Sequence, residues 1–351
     1  METLFYHGEN NPRNSEGSFI KLKDGRILLA YTRYTGDSWQ DAAPADIASI
    51  VSADGGKTWK DERILIRHTG INVMSVSLLR LKSGRIGMLY LEKQNVPYNG
   101  VNFVDCRPKF VFSEDEMETW SDPVDVTGVP PLYMCVNNDR MIQLESGRLV
   151  IPCAIHPYKK DNSLSAGYAV FFLSDDEGLS WHESEQRCFL PHKLWSGLQE
   201  PGVIELKKGC LMAWFRTCGG CQYKSFSYDQ GESWTLPVPA SEFPAAESPL
   251  SMKRNPVTGE LMAVWNDWNP QRSVRYDTQS WGRTPLVMAK SRDEGISWTD
   301  HVVLENDPSR GFAYTAMLFD DGKLLLEYCC GGGSPDIVML QDMKVRVIEK
   351  P

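Results

Sequence analysis

Charged and polar residues recur at fixed distances from a set of glycines, and this spacing is the first sign of chemistry in the chain. Counting back eight or nine positions from Gly25, Gly84, Gly147, Gly209 and Gly322 reaches five pairs: Glu16 and Gly17, Ser75 and Val76, Asn138 and Asp139, Glu200 and Pro201, and Ala313 and Tyr314. The longer turn before Gly259 brings in Glu247 and Ser248. Counting forward seven or eight positions reaches Arg33, Glu92, Ile155 beside His156, Arg216 and Asp267, with Glu327 a little nearer its glycine. A packed core does not choose carboxylates and guanidinium groups. If both sets lie at the same end of their strands, arginines and carboxylates crowd one mouth, where local arginines can bind a small anion whatever the net charge.

Each of these glycines turns one apolar strand into another. The six segments are FIKLKDGRILLAYTR, LLRLKSGRIGMLYLE, MIQLESGRLVIPCAI, VIELKKGCLMAWFRT, LSMKRNPVTGELMAVWND and AMLFDDGKLLLEYCC, with glycines 59, 63, 62, 50 and 63 residues apart. Runs such as Ile27, Leu28, Leu29 and Leu324, Leu325, Leu326 are apolar on both faces, as in strands buried between layers. An independent phrase, S-x-D-x-G-x-[ST]-W, returns five times, from Ser52, Ser113, Ser174, Ser227 and Ser291. Its Asp can accept turn N–H groups, its Gly tolerates positive φ and its Trp anchors the turn in apolar surroundings. We read Asp54, Asp115, Asp176, Asp229 and Asp293 as structural on that account. The second copy has Met117 in place of the glycine, so that turn must tolerate a side chain or change geometry.

Six units of about 55 to 60 residues predict an all-β chain, a six-bladed β-propeller with Asp-box hairpins that takes up residues 1–351 as one domain. The sixth unit has no Asp phrase. We expect the segment around Thr3 to Tyr6 to complete the last sheet beside the C-terminal strands, leaving no open edge.

The net charge of −9 and pI near 5.3 argue against a nucleic-acid partner. No apolar run approaches the ~18 residues of a membrane span, so no membrane partner is expected. METLFYHGENN lacks the basic and apolar regions of a signal peptide. The chain as given reads as cytoplasmic, or as secreted or periplasmic if a signal was trimmed. Of the nine cysteines, Cys218-Gly-Gly-Cys221 is the only close pair of the metal or redox type, and reduced structural thiols are expected. His156 and His192 have no ligand partners at useful spacing, and neither a metal nor another cofactor is expected.

The Asp phrases and the funnel residues together resemble the sialidase (neuraminidase) superfamily of six-bladed propellers over essentially the whole chain. LQEPGVIELKKGCLMAWFRT is similar to that family's activating-carboxylate segment, which implies Glu200 as the activating carboxylate and Arg216 as a substrate-binding arginine. SWGRTPLVMAKSRDEGISW resembles the segment with an arginine before an Asp phrase, here Arg283, and FAYTAMLFDDGKLLLEY the segment of the tyrosine nucleophile, here Tyr314. The resemblance implies a retaining glycosidase for an acidic glycan. Three arginines would hold the substrate carboxylate, Tyr314 would attack the anomeric carbon as Glu200 takes its proton, and an Asp would protonate the leaving oxygen.

The family's first arginine usually stands nine residues before the first turn Asp, whereas Arg13 stands eleven before Asp24, with Arg33 and Arg140 as substitutes. The acid should come from YTGDSWQDAAPADIASI, which offers Asp37, Asp41 and Asp46, the spacing slightly favouring Asp41. Glu16 is an extra carboxylate that suggests a modified pocket. Trp39, Trp195, Trp268 and Trp281, outside the Asp phrases, could cradle a sugar or cap the sheets. The rival readings are the same fold acting on another acidic glycan, such as a uronic acid, with Glu16 or Asp139 recruited, and a non-catalytic propeller that binds a glycan or protein.

Overall fold

The computed structural model describes residues 1–98, 100–129, 131–159, 161, 163–272 and 278–351. The chain is all-β: among the described residues the only helical turns are two three-residue 3₁₀ segments, and no helix is long and apolar enough to cross a membrane. Strands form where the sequence alternates or runs apolar, and each pair turns at a glycine of positive φ, such as Gly25 at 90°.

In chain order β1 is Glu2–Phe5, β2 Asn14–Lys21, β3 Ile27–Tyr34, β4 Ala45–Ser52, β5 Lys60–Ile66, β6 Asn72–Arg80, β7 Ile86–Tyr98, β8 Val101–Ser113 and β9 Val124–Asp125. They are followed by β10 Tyr133–Cys135, β11 Ile142–Gln143, β12 Leu149–His156, β13 Tyr168–Ser174, β14 His182–Glu183, β15 Gln199–Glu205, β16 Leu211–Arg216, β17 Cys221–Ser227 and β18 Val238–Pro244. The last are β19 Ser251–Arg254, β20 Leu261–Asn266, β21 Leu286–Ser291, β22 Thr299–Glu305, β23 Ala313–Asp320, β24 Lys323–Cys329 and β25 Met343–Glu349.

Strands β2 to β5, β15 to β18 and β19 to β22 form three antiparallel four-stranded sheets in chain order. A fourth has the order β1-β25-β24-β23, with Thr3 opposite Val345, so the N-terminal segment completes the last sheet as its sequence led us to expect. The second and third units are not separate. The three-residue β10 pairs parallel with β8, Tyr133 opposite Cys106, and antiparallel with β12, which joins them into one nine-stranded sheet. Nothing in the sequence signals so short a bridge.

The core lies between successive units. Leu28 and Ile47 pack with Leu78 and Met88, Leu91 and Phe110 with Ile151 and Phe172, and Phe171 with Phe215 and Trp234. Trp214 packs with Trp265, Val264 with Leu324, and Leu29 with Leu325 and Val345, so the sixth unit meets the first. Burial of this kind contributes about 25 cal/mol per Å² of apolar surface, which lets short strands of modest propensity persist.

In all five Asp phrases the carboxylate accepts from the N–H and the hydroxyl of the Ser or Thr four residues on. In the first, Asp54 Oδ1 accepts from the N–H groups of Lys57 at 3.0 Å and Thr58 at 2.9 Å, Oδ2 from Thr58 Oγ1 at 2.6 Å, and Trp59 Nε1 donates to Gly56 O at 3.1 Å. These bonds hold the carboxylates low; Asp115 and Asp293 are pushed down to about 2 by the Thr119 and Ser297 hydroxyls and N–H groups. Met117 keeps the geometry of its glycine counterparts, with φ of 74°, and its side chain is buried between the first and second units. Met117→Gly relieves about 1–2 kcal/mol of left-handed backbone strain but removes a buried side chain whose truncation costs about 2–5 kcal/mol. The expected result is a lower midpoint of thermal unfolding; an unchanged or higher midpoint contradicts it.

Candidate active site

The residues counted from the turn glycines coincide with backbone irregularities. Register shifts open β2 between Ser15 and Ser18, β6 between Met74 and Ser77, β15 between Gln199 and Gly202, and β23 between Ala313 and Ala316. Within them Glu16, Ser75, Glu200 and Tyr314 have φ of 58°, 57°, 41° and 63°, and Asp139 has 57° in the corresponding place. Each non-glycine residue in this region costs about 1–3 kcal/mol, and a bulge re-aims the side chain it carries. Five such residues at equivalent positions are held by their surroundings. Asn138 Nδ2 donates to Gly17 O at 2.7 Å and to Tyr314 O at 2.9 Å, and Asp139 accepts from Ser18 Oγ at 2.9 Å and from Met317 N at 2.9 Å.

Tyr314, Glu200 and Arg216 meet. The Tyr314 hydroxyl donates to Glu200 Oε1 at 3.2 Å, and Arg216 NH1 donates to the same oxygen at 2.8 Å. Arg216, the last residue of β16, stands opposite Gln199, which brings it beside the bulge that carries Glu200. Glu247 Oε1 lies 3.7 Å from Arg216 NH2. Arg283 Cζ stands 5.3 Å from the centre of the Tyr314 ring, and Phe312 N donates to Arg283 O at 2.8 Å, tying this arginine to the start of β23. Burial alone would raise the Glu200 carboxyl, but Arg216 and Arg283 outweigh it and hold it below its ordinary value. The Tyr314 phenol is raised by burial and then by Glu200, against the pull of Arg283 and Arg216. The ground state is therefore a carboxylate beside a neutral phenol. Glu200 Oε2, Arg216 Nε and Arg283 NH1 are buried without a hydrogen-bond partner, the condition of groups awaiting a ligand.

Arg13 is placed differently. It is fully buried, and its donors are in use: Nε to Ser15 Oγ at 2.8 Å, NH1 to Asp41 Oδ1 at 2.6 Å and to Trp39 O at 3.3 Å, and NH2 to Glu16 Oε1 at 2.6 Å. Glu16 also accepts from Ser75 Oγ, and burial keeps its carboxyl raised despite Arg13. Asp41 is exposed at the mouth. The crowding around it favours a higher pKa, yet Arg13 and then Lys93 hold its carboxyl below the ordinary value.

Glu16, Asp41, Glu200 and Tyr314 line one cavity of about 70 Å³, whose far wall is Met74, Cys106 and Tyr133, with Lys93. Lys93 went unnoticed in the sequence, although the count of eight from Gly84 stops at its neighbour Glu92; strand alternation puts the two on opposite faces. Its Nζ and the Asn72 amide both donate to Asp41 O, at 2.9 and 2.8 Å, and fix the loop that carries Asp41.

Other candidates fall elsewhere. Asp46 lies in β4 opposite Arg33, accepts from His68 N at 2.9 Å and does not line the cavity. Arg33 pairs with Glu62 at 3.2 Å. Arg140 is buried against Leu250 O at 2.7 Å and Ser251 Oγ at 3.2 Å, and lines a different cavity. Neither arginine joins Arg216 and Arg283. His156 Nδ1 lies 3.1 Å from Ser165 O and His192 Nε2 3.1 Å from the Tyr223 hydroxyl. The Trp39 and Trp281 rings meet at 6.3 Å, with Arg283 Cζ 5.8 Å from the Trp281 ring, Trp268 Nε1 donates to Gly282 O at 2.9 Å and Trp195 is exposed.

Residues 77–326 match the family described as the BNR repeat-like domain. A sialidase of Clostridium perfringens is 27% identical over 261 residues, which cover 67% of this chain and 65% of that protein, less than two thirds of its length. A sialidase of Paraclostridium sordellii is 26% identical over 376 residues, covering 95% of this chain and 86% of the relative. The intramolecular trans-sialidase of Ruminococcus gnavus, solved with oseltamivir carboxylate, superimposes with a TM-score of 0.74 at 15% identity, covering 99% of this chain and 97% of that one. That last likeness speaks for the fold alone; both curated relatives are sialidases.

Proposed function

Because the chain belongs to the BNR repeat-like family, within the sialidase superfamily, we propose that it is a retaining exo-α-sialidase-like hydrolase of a terminal sialic acid or related acidic sugar. Its residues 1–351 then form a single six-bladed β-propeller, a reading supported by the six apolar seams that run from each unit to the next and from the sixth to the first. The observation that carries the function is the Tyr314 hydroxyl 3.2 Å from a Glu200 carboxylate that Arg216 also holds.

In the first step Tyr314 Oη bonds to the anomeric carbon, its proton passes to Glu200, the glycosidic bond breaks and Asp41 protonates the leaving oxygen. Water then attacks the tyrosyl glycoside, giving its proton to Asp41, while Glu200 returns the proton to Tyr314. A neutral phenol approaches a carbon bearing a carboxylate without the repulsion that an anionic nucleophile meets, which suits a tyrosine to this exception among retaining glycosidases. Arg216 and Arg283, with unused donors, clamp the substrate carboxylate. Arg13, already neutralised by Glu16 and Asp41, serves the acid and joins the clamp only if substrate displaces one of them. That neutralised arginine is also the observation that favours the second reading, another acidic sugar such as a uronic acid, and substrate profiling separates the two.

The test is release of 4-methylumbelliferone from its α-N-acetylneuraminic acid glycoside between about pH 4 and about pH 8, with the first-formed product followed by NMR. The expected result is release with the α-anomer appearing first. A β-anomer appearing first overturns retention, and no release by folded protein overturns the sialidase reading.

A further inference from the structure

A second cavity, of about 300 Å³, lies toward the turn ends of the same first strands, away from Tyr314 and Glu200, and no step of the proposed reaction uses it. Its walls include Leu78, Ile204, Trp214 and Met252, and its charged groups are Asp139, Arg140, Lys253 and Arg254. These charges do not balance locally. Lys253 Nζ is 2.7 Å from Asp139 Oδ2 and donates to Met317 O at 2.8 Å, while Arg254 pairs with Glu294 at 2.8 Å.

Arg140 has no such partner. It is 3% exposed, spends NH1 on a hydroxyl and NH2 on a carbonyl, and leaves Nε unpartnered. Among the described residues no carboxylate forms an ion pair with it. The oxygens of its neighbour Asp139 are engaged by Lys253, Ser18 and Met317. Burial lowers the Arg140 guanidinium to about 10, which still leaves it charged at neutral pH. A buried charge without a contacting counter-charge is costly, and the more distant carboxylates of Asp139 and Glu200 and the Trp214 ring, 5.7 Å away, offset only part of that. An anion entering the cavity supplies what the protein does not, and apolar walls with one or two placed polar groups are the make-up of small-molecule sites.

We propose that this cavity binds a small organic carboxylate, its anionic end on Arg140 and its apolar body against Trp214, Ile204 and Met252. The site is independent of the arginines around Tyr314 and does not rest on the hydrolase reading. The probe is 4-fluorobenzoate, titrated into the full chain and followed by ¹⁹F NMR, with 4-fluorobenzyl alcohol as the neutral analogue. Binding is expected with Kd on the order of 1 mM or tighter, at least about tenfold weaker for the alcohol and for Arg140→Met, and unchanged for Arg283→Ala. If Arg140→Met does not fold, Lys253→Met stands in: losing the cation that neutralises Asp139 weakens binding by about threefold or more. The proposal is overturned if Arg283→Ala abolishes binding while Arg140→Met keeps it, if the alcohol binds as well as the acid, or if folded wild type binds neither.

Discussion

Tyr314→Phe is expected to lower kcat on an α-sialoside by about 10³-fold or more, with thermal stability little changed. The substitution keeps the ring that packs under Arg283 and the bulge that carries it, and removes only the oxygen that would bond to the anomeric carbon. Because burial and Glu200 keep the phenol neutral, the nucleophile forms only as Glu200 accepts the proton. Glu200→Gln should therefore fall by a comparable factor, since an amide cannot take that proton. The base limb has a stated sign. Glu200 is held below its ordinary value, so it is ionised above that lowered pKa, and the activity that depends on it is lost only as pH falls through it. Turnover by Tyr314→Phe at the wild-type rate would sink the mechanism.

The second large effect belongs to Asp41. An acid is needed most where the leaving oxygen is poor, so Asp41→Asn should cost about 10²–10⁴-fold on a sialyl-lactose and much less on the methylumbelliferyl glycoside. In the free protein Arg13 and Lys93 hold the carboxyl below its ordinary value, and kcat/KM, which needs the protonated form, falls as pH rises through that lowered pKa. A bound anion adds negative charge and competes for Arg13, which raises the pKa of Asp41. The limb in kcat is thus expected at higher pH than the limb in kcat/KM. Equal losses on the two substrates, or coincident limbs, speak against Asp41 as the acid.

Much of this site was legible because its residues hang on a repeat. A fixed count from turn glycines reached Glu16, Ser75, Asp139, Glu200 and Tyr314, all of which the structure holds at positive φ. What the count lacks is facing. It could not separate Glu92 from Lys93, one residue apart on opposite faces of β7, nor tell that Asp46 enters β4 while Asp41 stays on the loop. Arg140 directly follows Asp139, whose φ is positive, and lines another cavity, which spacing alone does not reveal. The bridge β10 was invisible for a different reason. Three residues carry no periodicity, and their pairing is imposed by the two long neighbours they lie between.

That bridge divides the mouth unequally. Lys93, Cys106, Tyr133 and Met134 belong to a single hydrogen-bonded sheet of nine strands, whereas Glu200 and Tyr314 each lie in a four-stranded sheet of their own. Amide protons are released in cooperative blocks that follow such connectivity. The wall built on β7, β8 and β10 should then exchange as one large slow block, and the nucleophile and its base as two smaller ones. Glu200 stands on the fourth unit and Tyr314 on the sixth, with the fifth between them, so their distance spans two apolar seams, and breathing at either would alter the reacting pair before it disturbed the wall opposite.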